Sequence, residues 1–554
     1  MEQLSVDAEA DRYLKAFTDL DPTVATYFEL PGAKDSFADY SPVGAEALSD
    51  LAKTTLARLS NVSIVSDRDR IGKELMVERL KLIVDRFESG EHLRDLNVIE
   101  SPPQSIRQIF DLMNKEDDDS YREIAARLSR LPAALSSYRI SLEEGLLRGV
   151  AAAPRQAIAV AKQALAYGGS GGRSFFKSLI DGYKGGDSHL ERDLARGAEG
   201  ASRAYIELSE YLNSYAQRSS AKDAIGAERW ALECRRFNGI EMDPRETYEW
   251  GWSEVNRIDE EMVSIARQLY PDATFEEALS ALDERSGYVI EGEDNFRRWN
   301  QELIDRTISE LNGVHFNIPV PIQRVEAMIA PPGGAAAMYY TGPSADLSRP
   351  GRTWYPTLGR NRFPLWTEVS TAYHEGVPGH HLQIGYITFM GGELNSFSRL
   401  LGSISGHIEG WALYAERLMD ELGYLGDPVY RLGMLSAQAM RAARVVIDIG
   451  LHHGYSIPVG HRFLKPGVWS IEDAINLLHS ISGRERAFAE SEIDRYLGWP
   501  AQATSYKIGE RVWLETRETA KRVQGKDFSL SAFHQRGFEL GFVGLEQLRR
   551  ELGK

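Results

Sequence analysis

The chain has one cysteine, Cys234, in 554 residues. No intramolecular disulfide and no thiolate cluster can form, which favours a reducing compartment. It also lacks any apolar run of about 18 residues, so no membrane-spanning helix is expected. The N-terminal MEQLSVDAEADRYLKAF has no basic start followed by an apolar core. A signal peptide is therefore not expected, and a cytoplasmic protein without a membrane partner is the simple reading. Basic charge is in deficit: 64 Lys and Arg stand against 81 Asp and Glu, a net charge of −17. Nucleic-acid binding needs basic surface to displace counterions, so no nucleic-acid partner is expected.

What is present is ordinary for a globular protein: 43% hydrophobic and 26% charged residues. Residues 1–310 read as helices joined by short loops. Ile71 to Phe87 sets Leu75, Leu80, Leu82 and Ile83 among charges at helical spacing. Glu116 to Leu147 carries Ile124, Leu128 and Leu131 on one stripe, with Pro132 a start or a kink. The Gly-rich stretch from Tyr167 to Gly186 lacks the Gly-Lys-Ser/Thr of a phosphate loop and reads as a linker. After Gly313 the chain turns rich in Pro and Gly, with short apolar runs such as Val325 to Ala330. A small β and loop element is expected over 313–360, and helical pattern resumes at Thr367.

Twelve histidines are unevenly placed, with eight between His374 and His479. The informative segment is YHEGVPGHHLQ, from Tyr373 to Gln383. In H-E-x-x-H helices two histidines four apart bind zinc, and the glutamate beside the first polarises water. Here Pro378 holds the fourth position, and the next histidines are His380 and His381. Six residues turn an ideal helix by about 600°, which faces the wrong way, and seven advance it by about 10.5 Å. Pro378, flanked by Gly376 and Gly379, should break the helix locally. A bulge there brings His380 or His381 to the fourth-position site. His380 is favoured because Gly-His followed by a Gln-bearing turn suits the second half of such helices. Glu409, 29 residues after His380, suits a third, carboxylate ligand. Glu409, Leu413 and Glu416 share a helix face interleaved with Trp411 and Ala412, so the two carboxylates look buried. Arg417 is the bland partner for one of them.

YHEGVPGHHLQ, IEGWALYAERL, RVVIDIGLHH and PAQATSYKIGE, in this order, resemble the bacterial domain-of-unknown-function family 885. Its members are regarded as candidate zinc peptidases, distantly similar to gluzincins of the thimet-oligopeptidase, carboxypeptidase-Taq and angiotensin-converting-enzyme types. The resemblance implies one zinc ion held by His374, His380 and Glu409, with Glu375 as general base. It also implies a mainly α fold, a helical clamshell with the metal at the bottom of a deep channel. Residues 1–310 would form one wall and 311–554 the catalytic part of one integrated fold. Tyr506 resembles the late tyrosine that gluzincins place over the oxyanion.

His452 or His453 is a candidate proton donor, with Asp448 one turn before His452 to fix its tautomer. Arg441 and Arg444 could capture a substrate carboxylate or be surface charges. The stretch Met338 to Tyr355 resembles the family's loop before the catalytic helix. Its Tyr339, Tyr340, Ser348 and Arg349 are expected to line the path of an extended substrate, and His381 to contact it. The expected function is zinc-dependent hydrolysis of an amide bond in a small peptide or peptide-like molecule, as an exo- or oligopeptidase. The alternatives are a metal-dependent lyase or hydrolase of a non-peptide metabolite, and a non-catalytic helical binding protein with a degenerate site. Oligomeric state is not legible.

Overall fold

Acidic or hydroxyl caps start several of the helices and glycines end many of them. Ser66 accepts from the Asp69 amide to open Asp67–Glu88. Asp117 opens Asp118–Arg148, and Gly149, at φ 70°, closes it in the left-handed region that glycine tolerates. The computed structural model describes residues 5–330 and 338–554. Among these, helix accounts for 67% and strand for 5%, so the fold is mainly α. No helix of the described residues is long and apolar enough to cross a membrane.

The chain forms two compact units: Met1–Ile225 with Leu497–Trp499, and Gly226–Tyr496 with Pro500–Lys554. In the first, Asp118–Arg148, Pro154–Gly168 and Ser188–Arg218 bury facing stripes against each other. The expected helical stripe of Ile124, Leu128 and Leu131 is fully buried, and the helix runs through Pro132 without ending. The Gly-rich segment is not a linker. Ser174 caps a short helix, Phe175–Ile180, whose Phe176 is fully buried and stacks on Tyr205 at 5.3 Å. The ring supplies core contacts that a flexible connection would forgo.

In the second unit Pro428–His453 is apolar nearly all round and buried along most of its length, as such a helix must be. Helices Pro244–Leu269 and Glu293–Leu311, read from the sequence with the N-terminal part, belong to this unit. The Pro/Gly-rich region contains a three-stranded sheet. Gly351–Tyr355 is its centre, parallel to Val325–Ile329 and antiparallel to Tyr339–Thr341.

Two glycines set close approaches that position the site. A Cβ on Gly433 would lie 1.6 Å from the Trp366 carbonyl oxygen, so Pro428–His453 lies directly against the chain entering Glu368–Glu375. A Cβ on Gly410 would lie 2.3 Å from the Gly509 Cα, so Ser405–Glu421 and Ser505–Gln524 cross with their backbones touching. Glu409 is next to that crossing, and Tyr506 is three residues from it.

Candidate metal centre

The His-Glu helix ends as Pro378 requires. Glu368–Glu375 closes with a normal bond from the Gly376 amide to the Ala372 carbonyl, 2.9 Å. The Gly379 amide then donates to Tyr373 O at 3.0 Å, a span of six residues, and the His381 amide to Gly376 O at 3.1 Å, a span of five. Helical spacing is restored where the Gln383 amide reaches Gly379 O, in His380–Met390. The Val377–Pro378 peptide between them is cis. Six in place of four means two extra residues, so His380 takes the place of a fourth-position residue. Gly379 has no alternative: a Cβ there would lie 2.0 Å from the His374 carbonyl oxygen.

This turn gathers His374, His380 and Glu409, one ligand atom from each lying within 4.8 Å of the others. Glu409 Oε2 is 3.4 Å from His374 Nε2 and 3.5 Å from His380 Nε2. Tetrahedral ligands at about 2.0–2.2 Å from zinc stand about 3.3–3.5 Å apart, so these edges suit that ion. One ligand atom also lacks other occupation. Glu409 Oε2 is buried without a hydrogen-bond partner among the described residues. Burial raises the Glu409 carboxyl, but His374 and His380 outweigh it and hold the group well below the usual carboxylate range. An ionised, unpartnered carboxylate between two imidazoles fits a cation.

Beneath the triad, His374 Nδ1 lies 2.7 Å from Glu416 Oε1, which leaves Nε2 facing Glu409. Ser370 Oγ donates to the other Glu416 oxygen at 2.5 Å, and Arg441 lies 3.6 Å away. Burial works against the His374 imidazolium, yet Glu409 and Glu416 raise its pKa to about 9. Burial likewise opposes ionisation of Glu416, but Arg441, His374 and Ser370 bring it below the usual value. Glu375 is buried beside the triad, and that burial raises its pKa, with His380 and His374 opposing.

Trp411 ties the turn to the Glu409 helix. Its indole N–H donates to the carbonyls of Pro378, 2.9 Å, and Gly379, 3.2 Å. The Pro378 carbonyl lies in the stretch where the regular ladder is interrupted, so this donor satisfies a group the bulge leaves over.

Residues 22–552 match the family described as bacterial protein of unknown function, DUF885. The chain belongs to that family. No curated protein matches it. Among solved structures it is similar to a candidate lipoprotein from Colwellia psychrerythraea, with 23% identity, 99% of each chain covered and a TM-score of 0.82. It is also similar to a candidate lipoprotein of unknown function from Shewanella oneidensis, at 20% identity, 99% of each chain and a TM-score of 0.76. At these identities the likeness establishes the fold.

Several expected site residues are placed elsewhere or engaged otherwise. His381 is fully buried, with Nε2 2.7 Å from Ile322 O and Nδ1 2.9 Å from the Tyr340 hydroxyl. Both nitrogens are spent, so His381 is neither a ligand nor a substrate contact. Burial lowers its pKa to about 4, and the neutral ring donates to Ile322 and accepts from Tyr340. Tyr340 thereby supports the His381 ring. Tyr339 stacks on Trp354 at 5.8 Å, and Arg349 donates to the adjacent Pro350 carbonyl.

His452 stays outside the triad. Its Nε2 lies 3.1 Å from Tyr496 O, and burial lowers its pKa to about 4. The Asp448–His452 pair expected from spacing gives way to bonds from the Trp230 indole, 2.7 Å, and the Ala501 amide, 3.0 Å, to Asp448. Tyr506 does approach the centre, its ring lying over His374 at 6.4 Å and 21°. Arg441 and Arg444 stand over that ring at 5.6 and 4.8 Å. Neither is a surface charge: Arg444 is buried against Glu492 at 2.6 Å, and Arg441 faces Glu416. Arg417 lies 3.7 Å from Glu510, so it is not the partner of Glu416.

Proposed function

We propose that this chain is a zinc-dependent hydrolase of an amide bond in small peptides or peptide-like molecules. One observation carries the reading: His374 Nε2, His380 Nε2 and Glu409 Oε2 converge beside a buried glutamate, across a turn whose only evident product is that convergence. These three atoms would hold the ion. Zinc there supplies Lewis acidity toward a carbonyl and toward water. The chain's own residues supply the rest. Glu375, with its proton affinity raised by burial, takes a proton from the attacking water on its carboxylate and returns it to the leaving amine. Glu416 holds His374 in one tautomer at Nδ1. Tyr506, half-buried and stacked on His374, is the chain's donor toward the developing oxyanion.

The test is metal analysis of purified protein with a peptide-library assay of the wild type and Glu375→Gln. The reading expects about one zinc per chain in both proteins. It expects cleavage by the wild type and at least about a hundredfold loss in the variant. A metal-free wild type, or a variant with undiminished cleavage, overturns it.

A further inference from the structure

Tyr506 is half-buried, and its hydroxyl forms no hydrogen bond among the described residues. No bond at its tip therefore sets its direction, and the ring is placed by what lies against it. Those neighbours are His374 at 6.4 Å, Arg441 at 5.6 Å and Arg444 at 4.8 Å. Arg441 is tied to His374 through Glu416, 3.6 Å away, and so belongs with the support of the triad. Arg444, nearer to the ring, has its partners elsewhere.

The Arg444 guanidinium is clamped by two side chains of Arg486–Gly498. Nε donates to the Tyr496 hydroxyl at 2.9 Å, and Nη2 to Glu492 Oε2 at 2.6 Å. The Tyr496 hydroxyl donates to the same carboxylate oxygen at 2.7 Å, which closes a triangle. Glu492 and Tyr496 stand four apart and therefore share a helix face. The other Glu492 oxygen accepts from Arg495 at 3.1 Å. Two turns beyond Arg444 on the same helix, His452 Nε2 meets the Tyr496 carbonyl at 3.1 Å. Arg444, Glu492 and Tyr496 are all buried. Burial works against the Arg444 charge, but Tyr496, Glu492 and Tyr506 outweigh it.

A buried ion pair is a poor source of stability, because apolar residues of similar size often serve as well or better. What this pair supplies is geometric. A planar cation held at two of its nitrogens lies over the Tyr506 ring, and a guanidinium favours that contact with an aromatic face.

We propose that Arg444, clamped by Glu492 and Tyr496, is a positioning residue that sets the Tyr506 ring over His374. That the hydroxyl so placed serves a reaction rests on the hydrolase reading. That Arg444 orders the ring does not.

The test puts 3-fluorotyrosine at position 506 of the full chain and reads its fluorine resonance. One line, displaced from that of the denatured chain, is expected. Arg444→Met should remove most of that displacement. This variant leaves Glu492 buried without its cation, so Arg444→Met with Glu492→Gln, which removes both charges, is the second. The neutral pair should stay folded by circular dichroism, keep the zinc content of the wild type and show the same change in the line. On a peptide that the wild type cleaves, it should lower kcat about tenfold with KM within about threefold. In a Tyr506→Phe background it should lower kcat no further, because the effect runs through that ring. A wild-type line at the denatured position, a line unmoved by both variants, or a neutral pair that unfolds or loses zinc overturns the proposal. So does an equal loss of kcat in the Tyr506→Phe background. If the line moves as expected but the wild type cleaves no peptide, Arg444 still places the ring and the hydrolase reading fails.

Discussion

Trp411 donates its indole N–H to the Pro378 carbonyl at 2.9 Å, which fastens the turn between the two histidines to the helix that carries Glu409. One bond thus spans all three members of the triad. Trp411→Phe keeps most of the buried ring and removes the donor, leaving the Pro378 carbonyl unsatisfied at a cost of about 1–3 kcal/mol. The variant should stay folded by circular dichroism, and zinc affinity should fall about tenfold or more in a chelator competition. Unchanged affinity would show that the turn holds its shape without this bond.

Glu416→Gln tests how His374 is held. An amide can keep the contact to Nδ1 but loses the charge that fixes the tautomer, and it leaves Arg441 without its carboxylate. Zinc affinity should fall about 10–100-fold, the usual range for such a partner. The same chelator competition reads it, and an effect under threefold would contradict the role.

His380 and His381 should separate cleanly. His380→Ala should abolish stoichiometric zinc with little loss of stability. His381→Gln should retain zinc but lower the melting temperature, because it disturbs the bonds to Ile322 and Tyr340, about 1–3 kcal/mol each. The opposite pattern would exchange their roles.

The helices were legible in the sequence because their caps and apolar stripes are local. Asp117 and Gly149 bracket their helix, and Ile124, Leu128 and Leu131 face inward as the period requires. The Gly-rich stretch misled because its glycines signal turns while the burial of Phe176 depends on Tyr205, far along the chain. The bulge was legible too, since Pro378 cannot continue a helix. The choice between His380 and His381 rests on tertiary partners: the carbonyl that claims His381 belongs to Ile322, 59 residues earlier. The same holds for Glu416, whose partner could be Arg417 by sequence and is His374 in space. Trp411 carried no sign beyond its apolar ring.

Asp448 gives the fold a pH dependence separate from the centre. Burial raises its carboxyl from the ordinary 3.8 to about 7, against bonds from Trp230 and Ala501 that favour the charged form. Between those values the folded chain keeps a proton that the unfolded chain releases, so stability falls as pH rises through the window. The loss, on the order of a few kcal/mol, is complete by about pH 8. Asp448→Asn removes this contribution. The melting temperature of the variant relative to wild type should therefore rise between about pH 5 and pH 8. A constant difference would contradict the shift.

The central claim is that His374, His380 and Glu409 hold one zinc ion, and anomalous diffraction at the zinc edge tests it most directly. The account expects one peak about 2.0–2.2 Å from His374 Nε2, His380 Nε2 and Glu409 Oε2. No peak in zinc-loaded crystals, or a peak on His381 or elsewhere in the chain, would contradict it.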